Sequence, residues 1–220
     1  MEKIIVQRTG KIVLAIGLLD FAFMLACVFS GRPYASSLGL FGVIGGLILR
    51  NGGLLAAARI RWLAVLMGAA LLAITLAWPL LQPYDLTLTQ LRLSPWAMLS
   101  GAVMQALTLM LLAWVVRELG KPPVLAAQRA AGHKVRDMRI PAALGLVVVL
   151  AAAWSVSSML DGESAERAKA LAARQVGPDY QLYVGSMSFN KTPERTRVSA
   201  IVTAWKDDEI RTVPVGWEAP

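Results

Sequence analysis

Apolar and polar positions alternate along the chain in two different ways. Up to residue 160, long apolar runs are separated by short polar stretches: 12–30, broken only by Asp20, then 62–81, 95–116 and 140–160. At roughly 1.5 Å per residue, a helix built from any of these runs reaches about 30 Å, the thickness of a bilayer's hydrocarbon core. A fifth run, residues 37–49, covers only about 20 Å before Arg50. It crosses if the helix continues to about residue 57 with Arg50 snorkelling; otherwise it is a re-entrant segment. Ser94-Pro95 offers an N-cap and a proline at the first helical position, and Pro141 stands just inside the start of the last run.

Beyond residue 160 the period changes. Residues 163–176 are Ala-rich, carry Glu163 and Arg167 four apart, and stop at Gly177-Pro178, which predicts a helix. Residues 180–189 alternate, with Leu182 and Val184 on one face and Gly185 read as a bulge before Met187 and Phe189. A polar turn is expected at 190–196. In 197–205, Val198, Ala200, Val202 and Ala204 oppose Ile201, Thr203 and Trp205, and after a tight turn at 206–209 a third strand over 210–217 contains Pro214, which points to an edge. The expected fold is therefore an α-helical integral membrane protein: a transmembrane bundle over residues 1–160 and a small α+β domain over 161–220, one helix with a three-stranded antiparallel sheet.

Composition agrees with a membrane chain: 56% of the 220 residues are hydrophobic, 16% are charged and the mean hydropathy is +0.57. Charge then sets the number of crossings and the orientation. The first 160 residues hold 14 bases and 5 acids; the last 60 hold 8 and 9. With spans at about 12–30, 37–57, 62–81, 95–116 and 140–160 and the N-terminus inside, twelve Lys and Arg fall in inner segments, and only Arg32 and Arg92 fall outside. A re-entrant second segment would instead place Arg50, Arg59 and Arg61 outside, so five crossings are expected. The C-terminal domain is then extracytoplasmic, periplasmic in a bacterium. Trp62 with Trp78, and Trp96 with Trp114, stand about 24 and 27 Å apart along a helix and read as two aromatic belts.

A cleaved N-terminal signal was weighed on Met24-Leu25-Ala26-Cys27, which faintly resembles a lipoprotein processing site. The residues before Cys27 fit poorly and Asp20 interrupts the run, so a permanent helix is expected. Gly42 and Gly46 form a Gly-x-x-x-Gly pair, expected to serve packing within the bundle more than a dedicated dimer interface.

Asp20 is the most informative residue, since a carboxylate near the midplane costs several kcal/mol unless it is protonated, paired or hydrated. Gln105 lies at the same depth in its run, Thr108 shares its face, and Thr75 lies about a turn from the centre of another run, so an intramembrane polar cluster of Asp20, Gln105, Thr108 and Thr75 is expected. It serves either as hydrogen-bonding glue or as a protonatable or ligand-holding site. Glue is favoured, because no paired charges, matched helix breaks or inverted repeat accompany it.

The basic inner loop, residues 117–139, has no aromatic residue to stack on bases, so it reads as facing the membrane surface and nucleic acid is not expected as a partner. His133 in that loop reads as a solvated residue. One Cys and one His exclude an internal disulfide and a Cys/His zinc site. Asp207, Asp208 and Glu209 are adjacent at a hairpin tip and cannot all face one ion, so no metal is expected. Asn190-Lys191-Thr192 would be a glycosylation acceptor only in a secretory setting. Phosphate-loop, zinc-protease and Cys-x-x-Cys motifs are absent, and no enzyme activity or cofactor is expected.

A domain this small buries little core, so its sheet is expected to lean on the bundle, on a copy of itself or on a partner. Trp205 and Trp217 are the candidate partner-binding anchors, unless they close the domain's own core. The expected role is a non-enzymatic inner-membrane accessory, assembly or scaffold subunit of a larger envelope complex. Its partners would be the lipid bilayer and other membrane or periplasmic proteins, with a homo-oligomer also open. The alternative is a small transporter or lipid-handling protein working through Asp20 and Gln105.

Overall fold

The structure, a computed structural model, describes residues 1–31, 39–160, 162–191 and 196–219. In chain order these form α1 (Glu2–Phe29), α2 (Gly39–Asn51), α3 (Leu54–Leu81), α4 (Tyr84–Leu93), α5 (Pro95–Leu119), α6 (Pro122–Ala130), α7 (Arg139–Leu160), α8 (Glu163–Val176), β1 (Gln181–Lys191), β2 (Thr196–Lys206) and β3 (Glu209–Ala219). Four helices, over Glu2–Phe29, Leu54–Trp78, Pro95–Leu119 and Arg139–Ser158, are long and apolar enough to cross a membrane. At 13 residues α2 is apolar but shorter.

Some boundaries depart from the sequence reading. Continuation of the second run to residue 57 is corrected: α2 stops at Asn51, and 54–57 belong to α3. Gly52 and Gly53 make the break, with the Gly52 N–H still bonded to the Ile48 carbonyl at 2.6 Å. A Cβ at Gly52 would collide with that carbonyl, which is why glycine stands there. The first helix begins at Glu2, well before residue 12, and takes in the basic segment. Two stretches read as loops are helical: α4, and α6, which opens on Pro122-Pro123 at its first positions. The turn expected at 190–196 falls largely outside the described residues.

The chain divides into two compact units, Met1–Ala73 with Ala102–Val147, and Ile74–Gly101 with Val148–Pro220. In the first, α1 and α2 run antiparallel in backbone contact. A Cβ built on Gly17 would lie 2.6 Å from the Gly42 carbonyl carbon, one on Gly46 2.5 Å from the Leu14 nitrogen, and one on Gly10 2.7 Å from the Arg50 nitrogen. Only hydrogen fits at these crossings. A second close approach joins α7 to α3, where a Cβ on Gly145 would lie 2.5 Å from the Leu66 carbonyl oxygen. Val6, Leu49, Ala57, Leu119 and Val124 are buried in one cluster, and the Gln128 amide donates to the Leu54 carbonyl at 3.3 Å. The N-terminal part of α1, the α2–α3 junction, the end of α5 and α6 therefore share one end of this unit.

In the second unit the sheet is an antiparallel meander, β1-β2-β3. Its register shifts between Val184 and Ser186, so Gly185 is the bulge that keeps Leu182, Val184, Met187 and Phe189 on one face. Small side chains on α8, Ala165, Ala168 and Ala172, let that helix lie close over Val184, Ala200, Val202, Val213 and Val215. Gly177, at φ 97, ends α8 as the Gly177-Pro178 pair predicts. The opposite face carries Gln181, Tyr183, Thr203 and Trp205, and there Thr89 of α4 approaches the Asp207 carbonyl at 3.5 Å. The Tyr183 hydroxyl donates to the Leu81 carbonyl at 2.9 Å, satisfying one of the open carbonyls at the end of α3.

The glycine contacts give a paired test. Gly17→Ala should destabilise the chain by about 1–3 kcal/mol through overpacking against backbone. Gly101 has nothing within 4 Å of an added Cβ, so Gly101→Ala should be neutral or stabilising by up to about 1 kcal/mol. Thermal denaturation in mild detergent measures both.

Candidate functional site

Asp20 has a specific structural partner. Its Oδ2 accepts the backbone N–H of Gly39, the first residue of α2, at 2.7 Å. The first N–H groups of a helix have no acceptor of their own and carry the positive end of its dipole, so a carboxylate there is favoured on both counts. The antiparallel pairing of Gly17 with Gly42 and of Leu14 with Gly46 brings Gly39 level with Asp20, and residues on two helices thereby build one N-cap.

The other members of the expected cluster are placed as follows. Thr108 is buried on α5, and its hydroxyl donates to the Met104 carbonyl of its own helix at 2.9 Å. Gln105, one turn earlier on α5, is half-buried in the same unit as Asp20. Thr75 lies on α3 beyond Ala73, in the second unit. Gly42 and Gly46 are both buried against α1 within the chain.

The second unit contains a polar cleft of about 380 Å³ between α4 and the end of the sheet. From α4 it is lined by Asp85, Leu88, Thr89 and Arg92, which recur at helical spacing and so present one face. The sheet contributes Gln181, Trp205, Lys206 and Asp207, and Asp179 stands just before β1. Trp205 is only 4% exposed, and its indole N–H has no acceptor among the described residues. At the rim, the Lys206 ammonium meets Asp179 Oδ2 at 3.2 Å. That hydrogen bond, followed by the charge of Asp179, raises the Lys206 pKa above its ordinary value.

Beside the cleft is an exposed trio. The Tyr180 hydroxyl donates to Glu209 Oε2 at 2.6 Å, and Arg211 Nε donates to Glu209 Oε1 at 2.6 Å while its guanidinium lies 5.4 Å from the Tyr180 ring centre. The Tyr180 bond first, and Arg211 second, hold the Glu209 carboxyl below its usual range. Trp217 packs against the core beneath α8, and Arg167 sits over its ring at 5.8 Å. The two tryptophans therefore lie on opposite faces of the sheet, Trp205 in the cleft wall and Trp217 under α8. No group of three or more His, Cys, Asp and Glu converges among the described residues.

The sequence reading missed this cleft because it treated 84–93 as a connecting loop. The signal was present, with Pro83 before the helix, Asp85 in its first turn, and Leu86 and Thr89 on its buried face. Compared with known proteins, the chain matches no family, no curated protein and no solved structure.

Asp20 can be tested directly. Asp20→Asn keeps an oxygen acceptor for the Gly39 N–H and should leave thermal stability nearly unchanged, whereas Asp20→Leu removes the cap and should cost about 1–2 kcal/mol in detergent. Equal stability of the two variants would remove the capping role.

Proposed function

We propose that the chain is a non-enzymatic integral membrane protein of the inner (plasma) membrane with five crossings, its N-terminus cytoplasmic and its C-terminal α+β domain periplasmic or extracellular. It acts as an accessory, assembly or scaffold subunit of a larger envelope complex, and the domain binds other membrane or periplasmic components. The observation that carries this reading is the α4–sheet cleft. A buried Trp ringed by charged groups, held on a small rigid sheet, is a recognition surface, with apolar area at the floor and polar groups at the rim.

The topology has separate support. The N-terminal part of α1, the α2–α3 junction, the end of α5 and α6 share one end of the first unit, and they bring together Lys3, Arg8, Arg50, Arg59, Arg117 and Arg129. A basic cluster of this kind belongs on the cytoplasmic side. Likewise α4, between the third and fourth crossings, packs on the sheet that follows the fifth, as both must if they share the outer side. The Gly39 N–H on Asp20 favours the hydrogen-bonding role of Asp20 over the transporter reading.

A reporter fused after Val135 should report the cytoplasm and one fused after Pro220 the outer side; both on one side would overturn the topology. Affinity purification in mild detergent should recover stoichiometric partners with the full chain, and far less of them when residues 179–220 are deleted. The same partners in the same amounts from the truncated chain would move recognition to the helices.

A further inference from the structure

The cleft has a position and a charge pattern that together define a ligand. α4 begins three residues after α3 and ends two residues before α5. At about 3.5 Å per extended residue, these links hold it within roughly 10 Å of the outer ends of both helices. Trp78 near the end of α3, Trp96 at the start of α5 and Trp154 in the last third of α7 are all exposed, as is Tyr84 at the start of α4. Exposed Trp and Tyr at helix ends mark the interface between hydrocarbon and water. Hence α4 lies in the headgroup layer, and the cleft above it opens where headgroups are concentrated.

The charges in the cleft are mixed. Lys206 is tied to Asp179, while Arg92, Asp85 and Asp207 have no ion-pair partner among the described residues. Three carboxylates against two cations suit neither a polyanion nor a simple anion. Donors and acceptors line the same small space, the Arg92 guanidinium on one hand and the Asp85 and Asp207 carboxylates on the other, with Trp205 buried in its wall. A guanidinium suits phosphate oxygens, and neighbouring carboxylates suit an ammonium that can donate several hydrogen bonds. Trp205 is too deeply buried to offer much ring face, which favours a primary ammonium over a quaternary one.

We propose that the α4–sheet cleft binds the zwitterionic head of a phospholipid carrying a phosphate and a primary ammonium, with Arg92 on the phosphate and Asp85 and Asp207 on the ammonium. This deepens the binding role given to the domain and rests on α4 lying at the outer surface. The reporter fusions test that placement, whereas the lipid preference is measured in detergent and does not depend on it, so the two can fail separately.

The experiment uses the full-length chain in mild detergent. It is given an equimolar mixture of phosphatidylethanolamine, phosphatidylglycerol and phosphatidylcholine with identical acyl chains, and retained lipid is read by native mass spectrometry. Phosphatidylethanolamine should be retained at least about threefold over each of the others. Arg92→Gln and Asp207→Asn, both at exposed positions, should each bring the three lipids close to equal. Arg197→Gln, exposed at the other end of β2, should leave the preference intact. Equal retention by the wild-type chain, or a preference unchanged in both cleft variants, would overturn the assignment. If either variant is less stable on melting, Asp85→Asn provides the second reading of the same ammonium site. Soluble O-phosphoethanolamine then separates the sources: loss of the preference in its presence shows that the head alone suffices, and persistence shows that the lipid-borne head is the ligand. Loss of the preference in inorganic phosphate alone would overturn the need for an ammonium.

Discussion

The backbone requirement at the start of α2 is the constraint on which the helical unit depends. The first N–H groups of a helix have no acceptor within it, and one left unpaired away from water costs about 1–3 kcal/mol. Asp20 meets this need from the neighbouring helix, with its carboxylate on the Gly39 N–H. The bond is possible only because Gly10, Gly17, Gly42 and Gly46 let the α1 and α2 backbones touch. The small residues and the acid thus form one device: the glycines bring the helices close enough for capping, and the cap lets α2 be short.

The α+β unit solves a different problem, that of a sheet too small to bury both its faces. α8 covers one face with alanines, close and dry, over a layer of valines. Among the described residues, the other face is covered at one end, where α4 lies against the turn at Asp207 and where Tyr183 reaches the Leu81 carbonyl of α3. Partial cover is what leaves a cleft. A helix fully seated on that face would have excluded the charged side chains that now ring the indole.

Legibility in the sequence followed periodicity. The strands and α8 could be read because alternation over 10 or so residues and a terminal Gly177-Pro178 pair are strong local signals. Even the Gly185 bulge showed, since the apolar face resumes one position out of phase at Met187. By contrast, α4 is short and nearly as polar as a loop, so its buried stripe of Leu86 and Thr89 was not separable from chance. The bond from the Gly39 N–H to Asp20 was harder still. A search for polar side chains at the same depth finds Gln105, Thr108 and Thr75, but a backbone N–H is the same at every residue and leaves no mark in the sequence. The cleft escaped for a related reason, as its two walls are far apart in the chain and are brought together only by packing.

That separation has a consequence for how the molecule is made. Thr89 and the Asp207 carbonyl that it approaches stand 118 residues apart, and two long apolar helices are synthesised between them. The hairpins of the sheet close locally and fast once their residues are available, whereas docking on α4 must wait for the last strands to be made. Until then α4 lies uncovered, with its Leu86 face open. Seating of the sheet on α4 can therefore come only after nearly the whole chain has been made. The same contact that shapes the cleft thus ties its completion to the end of synthesis.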